Sequence, residues 1–215
     1  MAPTAPTTAP TASRPTLSKS WDATLCRTDV LEPVNLMKWV ETHKQDFRPP
    51  VSNKYLYDGA GFFVMLIAGP NARNDFHQTD SEEFFLQLKG DIVVRIIENG
   101  RIRDVPVREG ETFWIPGGVP HSPTRPPNTL GMVIEMRRPP GELEHLQFYC
   151  EKCHALVYDK CFDCADIVEH FRQAMEDFWA DPQLSTCRQC GTRVTKAKPI
   201  RRIVFEPEIR IEREG

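Results

Sequence analysis

Two short stretches of this chain gather the residue types that bind a divalent metal. The first holds Asp75 and His77, then the adjacent carboxylates Glu82 and Glu83. The second, Gly110-Glu-Thr-Phe-Trp-Ile-Pro116-Gly-Gly118-Val-Pro-His121, ends on another histidine. Arg73 and Arg125 each stand four residues from one of these histidines. A guanidinium is always charged and grips carboxylates with two donors, so a substrate carrying a carboxylate would explain both; the plainer reading is two surface arginines in loops. Glu135, in an apolar Val-Ile-Glu-Met run, is a carboxylate in a buried strand that needs a partner. Six of the seven cysteines form C-x-x-C pairs, Cys150/Cys153, Cys161/Cys164 and Cys187/Cys190. Four thiolates from two such knuckles make a closed tetrahedral site for Zn or Fe, and the residue after Cys190 is Gly191, which suits the tight turn.

The two stretches resemble the signature motifs of the cupin superfamily. In the first pattern, G-x5-H-x-H-x3,4-E-x6-G, Asp75-x-His77 stands for H-x-H, Glu83 follows one residue late, and Gly90 closes it. The second, G-x5-P-x-G-x2-H-x3-N, is met by Gly110, Pro116, Gly118 and His121, with Arg125 in place of the last Asn. Strand alternation puts Glu82 and Glu83 on opposite faces, and the spacing to Gly90 selects Glu83. With one histidine in the first motif, the expected ligands are His77, Glu83 and His121. Two imidazoles and one carboxylate are the facial set of non-haem Fe(II) oxygenases. Three positions stay open, two to chelate a substrate with adjacent donors and one for O2. Asp75 is either a partner that orients a ligand or an ordinary turn residue.

The segments around these residues read as β. Phe62–Ala68, Glu83–Lys89, Asp91–Glu98, Arg101–Val107, Thr112–Pro116 and Leu130–Arg137 are short runs rich in Val, Ile and Phe, broken by Gly, Pro and Asn. Asn99-Gly100 signals a tight hairpin. Before them, Leu36, Trp39, Val40 and His43 have helical spacing, with Pro49-Pro50 as a stop. After Cys150, Asp166 and Glu169 resemble a capping box opening a helix whose stripe is Ile167, Val168, Phe171, Met175, Phe178 and Trp179. The expected fold is mainly β, a cupin barrel (double-stranded β-helix or jelly roll), with a small rubredoxin-like four-cysteine metal module and flanking helices. The expected divisions are a disordered tail over 1–28, a cupin catalytic domain over 29–146, the four-cysteine module with its helix over 147–195, and a tail over 196–215.

The bulk properties narrow the partners. A net charge of −3 leaves no footprint for nucleic acid, and the basic run from Lys196 to Arg202 reads as a solvated tail. The longest apolar run, Phe62–Ala68, is far short of the roughly 20 residues that span a bilayer, so no membrane is expected. Residues 1–20 are Pro/Thr/Ala-rich and too poor in apolar residues to fold; their lack of acids leaves a transit peptide as the other reading. Knuckle-like cysteines without an export signal point to the cytoplasm. Phe84, Leu86 and Leu88, opposite Glu83, make an apolar face that needs covering by the other sheet or by a second subunit, and a homodimer is expected.

The stretches GPNARNDFH, EEFFLQLKG, VPHSPTRP and MVIEMRRP, followed by YCEKC and CRQCG, together resemble the 3-hydroxyanthranilate 3,4-dioxygenase family in its single-cupin form with a cysteine-bound second metal. The likeness covers roughly residues 33 to 193. It implies Fe(II) on His77, Glu83 and His121, chelated by the hydroxyl and amino groups of a small aromatic carboxylate. It implies that Arg125 holds the substrate carboxylate, that Glu135 contacts its polar groups, and that Arg73 steadies charge beside the O2 position. The implied product is an aminocarboxymuconate semialdehyde, which closes unaided to quinolinate on the way to NAD. It also assigns Cys150, Cys153, Cys187 and Cys190 to a structural Fe or Zn. Cys161 and Cys164 depart from that pattern, as spare thiols, a competing ligand pair or a redox pair; Cys26 is a free thiol. The residues themselves leave open the same chemistry on a substituted 3-hydroxyanthranilate or another ortho-aminophenol, and a metal-binding cupin acting as sensor or isomerase.

Overall fold

The computed structural model describes residues 30–138, 141–163 and 167–215, and the side chains of 167–169 are not described. The N-terminal tail, Cys26, Cys164, the Asp166/Glu169 box and the Ile167 and Val168 contacts therefore lie outside the described residues.

Asn35 caps α1 (Leu36–His43), its side-chain oxygen accepting from the Lys38 amide at 3.0 Å. The β region then runs through β1 (Asn53–Asp58), β2 (Phe62–Ala68), β3 (Asp75–Gln78), β4 (Glu83–Lys89), β5 (Ile92–Glu98), β6 (Arg101–Val107), β7 (Thr112–Ile115), β8 (His121–Thr124) and β9 (Leu130–Met136). β10 (Glu144–Tyr149) and β11 (Leu156–Phe162) follow, then α2 (Ile167–Ala180), the short α3 (Pro182–Ser185), β12 (Ile200–Val204) and β13 (Arg210–Arg213). Five strands form one antiparallel sheet in the order β1-β2-β9-β4-β7, and six form the other in the order β11-β10-β3-β8-β5-β6. This is the mainly β, cupin-type pair of sheets expected from the motifs. Asn99 and Gly100 both take positive φ, at 51° and 72°, and close the β5–β6 hairpin with Glu98 opposite Arg101.

The inward faces meet in a core of Phe63, Met65, Phe85, Val94, Ile115 and Val133. Each such side chain contributes about 1.5–3 kcal/mol when removed from water, so this core holds the sheets at the spacing the site needs. Alternation is clean along β4: Glu83, Phe85 and Gln87 point in, while Phe84 is 37% exposed. Part of the outer face of the five-stranded sheet, including Leu88, Met132 and Ile134, is covered by Leu36, Trp39 and Val40 of the α1 segment. Helical spacing alone does not mark this helix as the cover. Beyond it Phe62, Phe84, Trp114 and Met136 remain exposed.

Two expected boundaries need correction. β10 pairs with β3 of the barrel along Leu146↔His77 and Phe148↔Asp75, so a division at 146/147 cuts through one strand of a continuous sheet. Residues 196–215 are not a solvated tail: β12 and β13 form a hairpin, with Ile200 fully buried and Arg202 holding Glu212 through two bonds of 2.8 and 3.0 Å. Alternating apolar and basic residues around Glu206-Pro207-Glu208 carry that hairpin, and the basic residues mask it in the sequence. Against the barrel end, α2 lays Phe171, Met175 and Phe178 on β10 and β11, with the Phe148 and Phe178 rings stacked at 3.8 Å.

Candidate metal centre and substrate pocket

His77 and His121 are direct neighbours across β3 and β8 of the six-stranded sheet. Glu83 enters from the facing sheet on β4. The ligand atoms of these three buried residues lie within 4.8 Å of one another. Glu83 Oε2 is 3.1 Å from His121 Nε2, and Oε1 is 3.2 Å from His77 Nδ1 but makes no hydrogen bond of good geometry. A buried carboxylate oxygen without such a partner costs about 1–3 kcal/mol, a cost that a divalent cation between the three residues removes. The donor set fits Fe(II), and the residues fit a metal as they stand. The Nδ1 of His121 faces the Val119 carbonyl at 3.0 Å, which fixes the ring.

The other nitrogen of His77, Nε2, meets Glu144 Oε2 at 2.6 Å. Burial works against an imidazolium here, yet the Glu144 and Glu83 carboxylates outweigh it and push His77 up to about 10. Glu83 is held well below the ordinary carboxylate range: burial opposes its charge, but His121 and His77 dominate. The Glu144 carboxylate is lowered too, against burial, by the His77 bond and by Arg138. Sequence reasoning misses Glu144, because no motif spacing links it to a histidine 67 positions away. Its only signal is an acid opening the strand that leads to Cys150.

Asp75 is fully buried at the head of β3 and so is no turn residue. It holds Arg73 through two bonds, Nε–Oδ1 at 3.0 Å and Nη2–Oδ2 at 2.5 Å. Burial disfavours the Arg73 cation, but Asp75 more than compensates and raises its pKa. Arg73, Glu135 and the three metal residues all line one cavity, with Phe85, Val133 and Phe171 among its apolar walls. Phe171 comes from α2, and its ring meets the His77 ring in a T-shaped contact with centroids 5.0 Å apart. The apolar stripe of that helix thus does more than pack: it also walls the site.

Glu135 lies directly across from Glu83 in the β4–β9 register. Burial first, and the Glu83 charge second, push its carboxyl up to about 7, while Arg138 at 2.7 Å pulls the other way. Arg138 also reaches Glu144 Oε1 at 3.1 Å, so one guanidinium ties Glu135 to the support of His77.

Arg125 is 1% exposed and is not among the residues that line this cavity. Its Nη1 donates to Gln87 Oε1 at 3.0 Å, its Nε has no partner, and no carboxylate pairs with it among the described residues. Burial, then the nearby Arg73 charge, lower its pKa to about 9. Gly131 makes room for it: a Cβ there would come within 2.6 Å of Nη1.

At the end of the six-stranded sheet the Sγ atoms of Cys150, Cys153, Cys187 and Cys190 lie within 4.8 Å of one another, with Cys150–Cys190 at 3.5 Å and Cys153–Cys187 at 3.6 Å. A tetrahedron with metal–sulfur bonds of roughly 2.3 Å has edges near that length. The two knuckles repeat one geometry. The His154 amide donates to the Cys150 carbonyl and the Gly191 amide to the Cys187 carbonyl, both at 2.8 Å, with φ of 62° and 70°. Hydrogen bonding to Thr192 lowers the Cys190 thiol to about 6, favouring the thiolate that a metal takes. Cys161 is an exposed residue of β11 opposite His145 and is not part of this group, so it does not compete for the site.

Comparison with known proteins fits this geometry. A family model described as 3-hydroxyanthranilic acid dioxygenase matches residues 29–179. The chain belongs to the 3-hydroxyanthranilate 3,4-dioxygenase family. A 3-hydroxyanthranilate 3,4-dioxygenase of Neurospora crassa is 39% identical over 159 residues, 74% of this chain and 88% of that protein. One from Xanthomonas campestris is 41% identical, covering 75% of this chain and 92% of its own. Likeness to solved structures is slighter: a cupin-2 domain protein from Shewanella frigidimarina has a TM-score of 0.37 at 21% identity, covering 45% of this chain and 91% of that one. As a 3-hydroxyanthranilate dioxygenase family member the chain is an oxidoreductase. Its matched residues include the His77, Glu83 and His121 cluster, Arg73, Arg125 and Glu135. Residues 196–215 lie beyond the matched model.

Proposed function

We propose that the protein is a non-haem Fe(II) dioxygenase that opens the ring of 3-hydroxyanthranilate beside its hydroxyl-bearing carbon. Within the family, the observation that carries this reading is Arg125: a buried guanidinium with a bare Nε, no carboxylate partner among the described residues, and its Nη1 on Gln87, one inward strand position beyond Phe85 of the cavity wall. A carboxylate on the substrate supplies the anion this cation lacks, through two charge-assisted hydrogen bonds.

His77, Glu83 and His121 would hold the iron, which would supply open positions for the substrate's adjacent hydroxyl and amino groups and for O2. The protein does the rest. Phe85, Val133 and Phe171 exclude water, which strengthens every charge interaction inside. Glu135, pushed up to about 7 by burial and Glu83, can accept the hydroxyl proton near neutral pH. Arg73, aimed by Asp75, steadies the negative charge that develops as oxygen is reduced. Both oxygen atoms end in 2-amino-3-carboxymuconate semialdehyde, which closes to quinolinate, a precursor of NAD. The four-cysteine site, closed on all sides, takes a structural Zn or Fe.

The substrate assignment is tested with a panel: 3-hydroxyanthranilate, its ring-substituted analogues, and 2-aminophenol, which lacks the carboxylate. The expected outcome is preference for 3-hydroxyanthranilate over 2-aminophenol, with the preference lost in Arg125→Met. A ring-substituted analogue turned over faster would move the protein to a specialised pathway with the same chemistry. We also propose that a second copy of the chain covers Phe62, Phe84, Trp114 and Met136, and that the enzyme works in the cytoplasm; no described helix is long and apolar enough to cross a membrane.

A further inference from the structure

We propose that the C-terminal hairpin, β12–β13, is a brace that holds the loop carrying Arg73, and through it the backbone of Arg125, in the geometry the substrate needs. The inference rests on the roles given above to those two arginines.

The loop between β2 and β3, residues 69–74, is short, irregular and polar. Between the end of β2 at Ala68 and the start of β3 at Asp75 it has no strand pairing, only single backbone bonds from the Gly69 amide to Thr129, the Asn71 amide to Arg125 and the Ala72 amide to Pro50. The C-terminal segment grips it three times. The Ile200 amide donates to the Asn71 carbonyl at 2.9 Å, Arg213 Nη2 donates to the Arg73 carbonyl at 2.8 Å, and Asn74 Nδ2 donates to the Thr195 carbonyl at 3.0 Å. The grip is anchored. Ile200 is fully buried, Arg213 Nη1 also holds the Lys198 carbonyl at 2.8 Å, and the Glu214 amide closes on Pro199 at 2.9 Å.

What the hairpin holds is the frame of both arginines. Asn71, 1% exposed, accepts the Arg125 amide on Oδ1 at 3.0 Å, donates its own amide to the Arg125 carbonyl at 3.1 Å, and donates Nδ2 to the Pro123 carbonyl at 2.8 Å. The chain thus runs from Ile200 through Asn71 to Arg125, and from Arg213 straight to Arg73. The metal residues have support of their own, since His77, Glu83 and His121 sit on strands paired within the barrel, where the hairpin takes no part. The hairpin is therefore a positioning element for substrate, separate from the metal. Displacement of a positioning group by about 1 Å is enough to cost a large factor in rate.

The test compares the full-length protein with Arg213→Ala, Arg213→Lys and a chain ending at Lys198. Hydrogen–deuterium exchange of the peptide spanning 69–75 is followed in metal-free protein, beside iron binding and steady-state kinetics. The expected result is faster exchange at 69–75 in Arg213→Ala and in the shortened chain, without change in β4 or β9. Iron binding stays intact, and kcat/KM for 3-hydroxyanthranilate drops roughly tenfold, mainly through KM. Lysine at 213 restores part of it. Unchanged exchange at 69–75 in both variants overturns the proposal, as does exchange that rises equally throughout the barrel. Turnover failing in the unaltered protein overturns the substrate reading instead, and leaves the exchange result to decide the brace.

Discussion

Arg125 and Glu144 show how the site spends stability on function. A buried cation without an anion is destabilising, and replacing it with an apolar side chain of similar reach relieves that cost. Arg125→Met is expected to leave the melting temperature unchanged or raise it, measured by scanning calorimetry, while kcat/KM for 3-hydroxyanthranilate falls at least a hundredfold. Gly131→Ala tests the same group from outside, because the added methyl would meet Nη1 within 2.6 Å. Its expected effect is a raised KM with iron content intact. Glu144→Gln keeps the shape but weakens the hold on His77 Nε2, and partners of this kind are worth roughly 10- to 100-fold in metal affinity. Competition with a chelator should show an iron affinity lowered by that factor. At this scale the sequence is legible wherever spacing carries meaning: His77, Glu83 and His121 meet although Glu83 falls one residue beyond the motif interval. It is silent on Glu144 and on the Asp75–Arg73 pair, whose meaning depends on strand pairing that one-dimensional spacing does not encode.

At the scale of elements, apolar strands with clean alternation, such as β2, β4, β5 and β9, are readable because their burial pattern is their stability. The strands carrying the histidines are not. Asp75-Phe-His-Gln and His121-Ser-Pro-Thr are four residues each, polar, and in one case contain proline, yet they are pinned between longer strands and take strand geometry from them. β12 and β13 escape notice because charge on Arg201, Arg202 and Arg210 hides an Ile/Val alternation. The four-cysteine module belongs to this scale. Its cysteines join two knuckles that follow β10 and α3, so Cys150→Ser is expected to release a metal held there, as read by a colorimetric zinc or iron assay. It should also lower the melting temperature by several degrees. The catalytic metal should remain.

For the whole molecule, the barrel fixes the metal and the apolar cavity, while the cysteine module and the C-terminal hairpin close its flanks. The row from Ile134 through Phe84 to Trp114 crosses β9, β4 and β7 in register, and its outer half is bare, with Trp114 54% exposed. If a second copy covers it, light scattering at micromolar concentration gives a dimer mass, and Trp114→Lys gives a monomer; a monomeric mass for the unaltered protein contradicts the dimer.

Dioxygenase activity is tested most directly by anaerobic loading with Fe(II), followed by 3-hydroxyanthranilate and a measured amount of oxygen in an electrode cell. Iron-dependent ring opening predicts one O2 consumed per substrate with a new near-ultraviolet absorbance, and neither in Glu83→Ala. Fully iron-loaded protein that consumes no oxygen with 3-hydroxyanthranilate or any related ortho-aminophenol would contradict it.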